Sequence, residues 1–245
     1  MTKSRALKRK MRSKWLRAVV IIFILFAAGN MLMRSGLPSL LWEMGVSAVK
    51  EHTIPIPEEW YLIVVNRWNE IPEDYSVTLT ELSNGQKVDS RIYSYLQEMF
   101  DAMRAEGIYP IVREGYRTAE EQQKILDDKI YAYIKEGYSR RRAEKLAKAW
   151  VAIPGTSEHQ LGIAVDINAD QSRSSNEEVY IWLAENAHSY GFIMRYPQEK
   201  EDITGTSYEP WHYRYVGKEA AEEIYAGQIC LEEYMENVLK IDKNL

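Results

Sequence analysis

Residues 154–168 read P-G-T-S-E-H-Q-L-G-I-A-V-D-I-N. A polar loop containing Gly155 leads to His159, and Gly162 lets the backbone turn closely into the next segment. Gly162 to Asn168 then alternates as a strand does. Asp166 stands in it among Ile163, Ala164, Val165 and Ile167. Burying a carboxylate in so apolar a strand is costly unless it is paired or bound to a metal. A second segment, Y-E-P-W-H-Y-R-Y at 208–215, puts Glu209 three residues before His212, with Pro210 stiffening the link. The chain has only two other histidines: His52, in a proline-containing stretch, and His188, near the C-terminal end of a helical pattern, where a cation suits the helix dipole.

Catalytic zinc takes three protein ligands and leaves one position for water. His159, Asp166 and His212 meet that count, and Glu209 stands close enough in sequence to act as a base toward the water. The single cysteine, Cys230, excludes an internal disulfide and a Cys-rich metal site, so a metal here has to be held by imidazole and carboxylate. H-x6-D on its own is a short signal. It leaves open a core histidine and a strand aspartate that are satisfied by hydrogen bonds alone.

Outward from this segment the chain mixes helical and strand patterns without regular βαβ alternation. Trp60–Asn66 (WYLIVVN) is an apolar run of strand type, and Asn84-Gly85 marks a turn. Val88, Ile92, Tyr95, Leu96, Met99, Phe100 and Met103 recur at helical spacing and predict a helix over 88–105, stopped by Gly107. Tyr109–Val112 reads as a strand. Thr118-Ala-Glu-Glu121 is a capping box opening a second helix, and Ser139 caps a third that runs to about Ala152. Glu177–Tyr190 is helical and closed by Gly191. Phe192–Tyr196 and Trp211–Val216 are strands, and Lys218–Ala226 and Leu231–Lys240 are terminal helices. The fold class expected is α+β, a small antiparallel sheet flanked by helices.

The N-terminal part has a different character. Residues 1–17 carry eight Lys/Arg and no acid. The whole chain has 31 basic and 36 acidic residues, so removing those eight leaves 23 basic against 36 acidic. An acidic body argues against nucleic-acid binding. Residues 18–33 are almost wholly apolar, a short but adequate span, with Trp15 as an interfacial ring. The reading is a basic cytoplasmic tail (1–17), a single-pass transmembrane signal anchor (18–33), a stalk (34–57) and a domain (58–245) on the extracellular side of the cell membrane. A cleaved signal peptide is the rival, disfavoured because GNMLMRSG lacks a small-x-small cleavage site. Both readings export the domain.

S-x-H-x-x-G-x-A-x-D at 157–166 and E-x-W-H at 209–212 resemble the signature of the LAS metallopeptidases, the group of lysostaphin-type enzymes, D-alanyl-D-alanine metallopeptidases and the hedgehog N-domain fold. More narrowly, residues 64–233 are similar to D-alanyl-D-alanine carboxypeptidases of the vancomycin-resistance type. The similarity runs in order through V-V-N, E-G-Y-R-T-A-E-E-Q, G-T-S-E-H-Q-L-G-I-A-V-D-I, Y-G-F-I-M-R-Y-P, I-T-G-T-S-Y-E-P-W-H-Y-R-Y-V-G and L-E-E-Y. One departure is Glu114, where a serine is usual.

The resemblance implies a hedgehog/DD-peptidase-like fold, Zn2+ on His159, Asp166 and His212, and Glu209 as the base. It implies Arg117 facing substrate, where a guanidinium binds a carboxylate through two parallel hydrogen bonds and stabilises a developing oxyanion. Ser157 and Gln122 are implied substrate hydrogen-bonders and Trp211 a pocket wall. A surface ion pair is the competing account of Arg117, and core packing that of Trp211. The expected function is removal of the terminal D-alanine from peptidoglycan stem peptides. The alternatives are an L,D-carboxypeptidase acting on tetrapeptide stems and a non-catalytic cell-wall-binding module.

Overall fold

The structure is a computed structural model, and it describes residue 54 and residues 59–242. The tail, the anchor and nearly all of the stalk expected from the sequence lie outside the described residues. Among the described residues no helix is long and apolar enough to cross a membrane. The described residues belong to one compact unit, Glu51–Leu245.

A short hairpin opens this unit: β1 (Leu79–Glu81) pairs antiparallel with β2 (Lys87–Asp89) across the Asn84-Gly85 turn. Helix α1 (Tyr93–Ala105) follows, then β3 (Pro110–Glu114), α2 (Ala119–Lys135) and α3 (Arg140–Ala147). A 3-10 turn, Glu158–Leu161, leads into β4 (Ala164–Ala169). Then come α4 (Asn176–Asn186), β5 (Phe192–Met194), the short α5 (Glu201–Thr204), β6 (His212–Tyr215), α6 (Lys218–Gly227) and α7 (Leu231–Asp242). Four strands form one antiparallel sheet in the order β3-β4-β6-β5. The expected α+β class and small antiparallel sheet are both present.

Side chains alternate across a strand, and here the alternation separates packing from chemistry. Val165 and Ile167 of β4 and Tyr213 and Tyr215 of β6 enter the main core with Leu96, Met99, Phe100 and Met103 of α1 and Val179, Trp182 and Leu183 of α4. The intervening residues, Asp166, His212 and Arg214, belong to the opposite face. A second apolar cluster joins Leu62, Val64 and Ile193 to Ala220, Ala221 and Ile224 of α6 and Leu231 and Met235 of α7.

Several expected elements change. Leu62–Asn66 is buried and Trp60 and Tyr61 half-buried, but the segment is no strand; among the described residues its one ladder contact is the isolated bridge Asn66–Asn69. Its carbonyls find a side chain instead: Arg214 Nη2 donates to the carbonyls of Tyr61 (2.9 Å) and Ile63 (2.8 Å). The helix expected at 88–105 starts at Tyr93, because Lys87–Asp89 pairs with β1; Val88 and Ile92 are core residues all the same. The helix expected to reach Ala152 ends at Ala147. The capping box at Thr118 is formed as read, with Thr118 accepting from the Glu121 amide and Glu121 accepting from the Thr118 amide. Gly191 closes the 187–190 turn at φ 84°, a conformation that favours glycine.

Candidate active site

Strand register brings the acidic and imidazole groups together. Asp166 pairs with His212 on one side and with Glu114 on the other, so the three form a row across β3, β4 and β6. His159 arrives from the 3-10 turn. Its Nδ1 bonds the Gly115 carbonyl at 2.8 Å, which leaves Nε2 facing Asp166. A Cβ at Gly115 would collide with the Lys87 carbonyl, so this close approach requires glycine. The Arg117 amide donates to the His159 carbonyl at 3.2 Å, tying the two loops.

His159 Nε2 lies 3.4 Å from Asp166 Oδ1, and His212 Nδ1 lies 3.0 Å from the same oxygen. One ligand atom from each of the three residues falls within 4.8 Å of the others. Ligands held 2.0–2.1 Å from a tetrahedral zinc stand about 3.3 Å apart. The spacing, the two imidazoles with one carboxylate and the hydrogen bond on the far nitrogen of His159 fit zinc.

Glu209 Oε2 is 3.7 Å from His212 Nδ1, beside the ligand atoms. Burial pushes the Glu209 carboxyl up to about 7, with Asp166 adding to the rise and His212 opposing it. Burial alone would lower His212, but its contacts with Asp166 and Glu158 bring it up to about 9. Asp166 is held well below the usual carboxylate range by the two histidines, against the effect of burial. Burial depresses His159.

A cavity of about 140 Å³ opens onto these groups. Its walls include Arg117, Gln122, Ser157, Trp211 and Tyr196. All eight residues singled out from the sequence therefore meet in one place. Arg117 is no surface ion pair: only 13% of its side chain is exposed, and its Nη2 is 3.5 Å from Asp166. Gln122 is buried with both ends engaged. Its oxygen accepts from Arg117 Nη1 at 2.9 Å and its amide donates to the Ala152 carbonyl at 2.7 Å, so it orients Arg117. Glu114 Oε1 lies 3.7 Å from Arg117 Nε, an acidic neighbour to the group that would receive a carboxylate.

Beneath the site lies a buried charge network that sequence reasoning missed. Glu158 Oε1 accepts from Arg195 Nε and Arg214 Nη1, each at 2.8 Å. Arg195 continues to both oxygens of Glu232 on α7, at 2.6 and 2.9 Å. Asn66 Nδ2 donates to Glu232 at 3.0 Å. Both arginines are 0% exposed. Burial would raise the Glu158 carboxyl, but the two guanidiniums hold it well below the usual range. An arginine on β6 and another just past the end of β5 read as ordinary solvated residues in a sequence; only the fold shows them facing inward.

Comparison with known proteins agrees with this geometry. A family model, VanY: D-alanyl-D-alanine carboxypeptidase, matches residues 85–218. A D-alanyl-D-alanine carboxypeptidase of Enterococcus faecalis is 59% identical over 178 residues, covering 73% of this chain; the chain spans 66% of that protein's length. A crystal structure of a vancomycin-resistance D,D-pentapeptidase VanY in complex with Zn(II) is 59% identical, with a TM-score of 0.71 over 72% of this chain and 99% of that one. The structure of the LD-carboxypeptidase LdcB is 34% identical, with a TM-score of 0.62 over 76% of this chain and 95% of that one.

Proposed function

The chain belongs to the VanY family of D-alanyl-D-alanine carboxypeptidases, which makes it a zinc metallopeptidase, and from that premise we propose how its residues act. The reaction is hydrolysis of the last peptide bond of a peptidoglycan stem, releasing D-alanine. His159 Nε2, Asp166 Oδ1 and His212 Nδ1 hold the zinc ion. When bound, zinc polarises the scissile carbonyl and lowers the pKa of water to about 7. Glu209 takes a proton from the attacking water as the new C–O bond forms. It then delivers that proton to the nitrogen of the departing D-alanine as the C–N bond breaks. Its place beside the ligand atoms suits both steps. Arg117, oriented by Gln122, binds the terminal carboxylate, and the burial of this guanidinium at the cavity wall strengthens the contact. Ser157 and Trp211 supply hydrogen bonding and a wall.

The observation carrying this reading is that His159 Nε2 and His212 Nδ1 lie 3.4 and 3.0 Å from Asp166 Oδ1, near the edge of a zinc tetrahedron, with Glu209 3.7 Å from His212 Nδ1. The test is Glu209→Gln, followed with pentapeptide and tetrapeptide stems by mass spectrometry. The variant is expected to keep zinc and to lose turnover; full activity rejects the assignment. Loss of one D-alanine from the pentapeptide supports D,D specificity. Cleavage of the tetrapeptide alone supports the L,D alternative, which the likeness to LdcB keeps in view.

The location is also a proposal. The eight cations of residues 1–17 followed by the apolar run 18–33 support a domain held outside the cell membrane. Recovery of a mature form beginning near residue 30 in culture medium refutes the anchor.

A further inference from the structure

His212 ligates through Nδ1 in the reading above, and this inference rests on that reading. A neutral imidazole has one N–H, so a lone pair on Nδ1 requires the proton on Nε2. Nε2 of His212 is buried and has no hydrogen-bond partner; neither has Oε2 of Glu158, and the two atoms face each other at 3.6 Å. That gap exceeds a normal N–H···O separation by roughly half an ångström. Glu158 cannot swing away, because its other oxygen is gripped by Arg195 and Arg214 at 2.8 Å each. The two guanidiniums also offset the cost of burying its charge. Arg195 is in turn fixed by Glu232 of α7.

We propose that Glu158 is a positioning residue for the metal: held by Arg195 and Arg214, it accepts the Nε2 proton of His212 and so commits Nδ1 to the zinc ion. It touches neither substrate nor metal. An outer carboxylate of this kind fixes the tautomer and ring orientation and raises the basicity of the ligand.

Glu158→Gln tests this in the full-length protein. The amide keeps an oxygen for the two arginines but turns an NH2 toward His212 Nε2. Donation from that NH2 forces the proton onto Nδ1, the atom that must coordinate. Glu232→Gln is the comparison, because it disturbs Arg195 without facing a histidine. Zinc affinity is measured by competition with a chromophoric chelator at fixed pH, and folding by the thermal transition of the metal-free proteins. Glu158→Gln is expected to weaken zinc binding by about 10–100-fold, and Glu232→Gln to leave it unchanged. Equal affinity in Glu158→Gln and wild type overturns the inference alone. Equal losses in both variants also overturn it. A wild type that binds no zinc overturns the zinc reading as well. Should Glu158→Gln not fold, 15N spectra of histidine-labelled, zinc-loaded wild type decide. A protonated Nε2 on His212 supports the assignment, and a protonated Nδ1 refutes it.

Discussion

Zinc uptake by the metal-free enzyme should release close to one proton at neutral pH. His212 is brought up to about 9, so at pH 7.5 its ring carries almost a full proton. Nδ1 must lose its claim on that proton before it can coordinate. Glu209, pushed up to about 7, carries about a quarter of a proton at the same pH. Asp166 and His159 add nothing, since the first is held ionised and the second neutral. Apparent zinc affinity should therefore rise about tenfold per pH unit between pH 7 and 8.5, a gain of about 1.4 kcal/mol per unit. The sign for the metal-free fold is opposite. A histidine whose pKa is raised by folding contributes stability that is fully present below 6.5 and lost as pH rises through about 9. Isothermal titration calorimetry in two buffers of different ionisation enthalpy counts the protons, and chelator competition gives the slope. A flat affinity from pH 7 to 8.5, with heat independent of buffer, refutes a charged His212 in the metal-free site.

Three further outcomes follow from the same contacts. Arg214→Met leaves Glu158 with one guanidinium and the Tyr61 and Ile63 carbonyls unpaired; a loss of about 3–5 kcal/mol is expected, seen as a fall in Tm of roughly 10 °C. A Tm within two or three degrees of wild type would falsify the view that this pair is essential. Gln122→Leu removes the partner of Arg117 Nη1 and should lower kcat/KM by about tenfold or more, the value of a hydrogen bond to a charged group; an unchanged value shows that Arg117 orients itself. Glu114→Ser removes an acidic competitor 3.7 Å from Arg117, and KM should fall by at most about fivefold, since a partly exposed pair contributes no more than about 1 kcal/mol. A rise in KM indicates that Glu114 contacts substrate favourably.

The site was legible where sequence order and strand alternation carry it. Asp166 in an apolar strand, Glu209 three residues before His212, and the capping box after Arg117 all lie where the motifs place them. Legibility failed where a backbone group is satisfied by a distant side chain. Trp60–Asn66 has strand composition, but the Arg214 guanidinium occupies carbonyls that a neighbouring strand would otherwise use. Val88 and Ile92 sit four apart, as in a helix, yet a hairpin and a turn bury both equally well. The family resemblance implies Gln122 as a substrate contact; the fold engages both its ends with protein. Glu158 stood unnoticed beside His159, since no local pattern tells which way a carboxylate next to a ligand turns.

The tie between Arg195 and Glu232 has a consequence for the birth of the enzyme. Glu232 sits in α7, a helix made after every metal ligand has been synthesised. While that stretch is still inside a ribosome, Arg195 has Glu158 alone as a carboxylate partner. Completion of the buried charge network is thereby made to wait on the last helix, so a chain that stalls short of residue 232 is left with a buried guanidinium one carboxylate short.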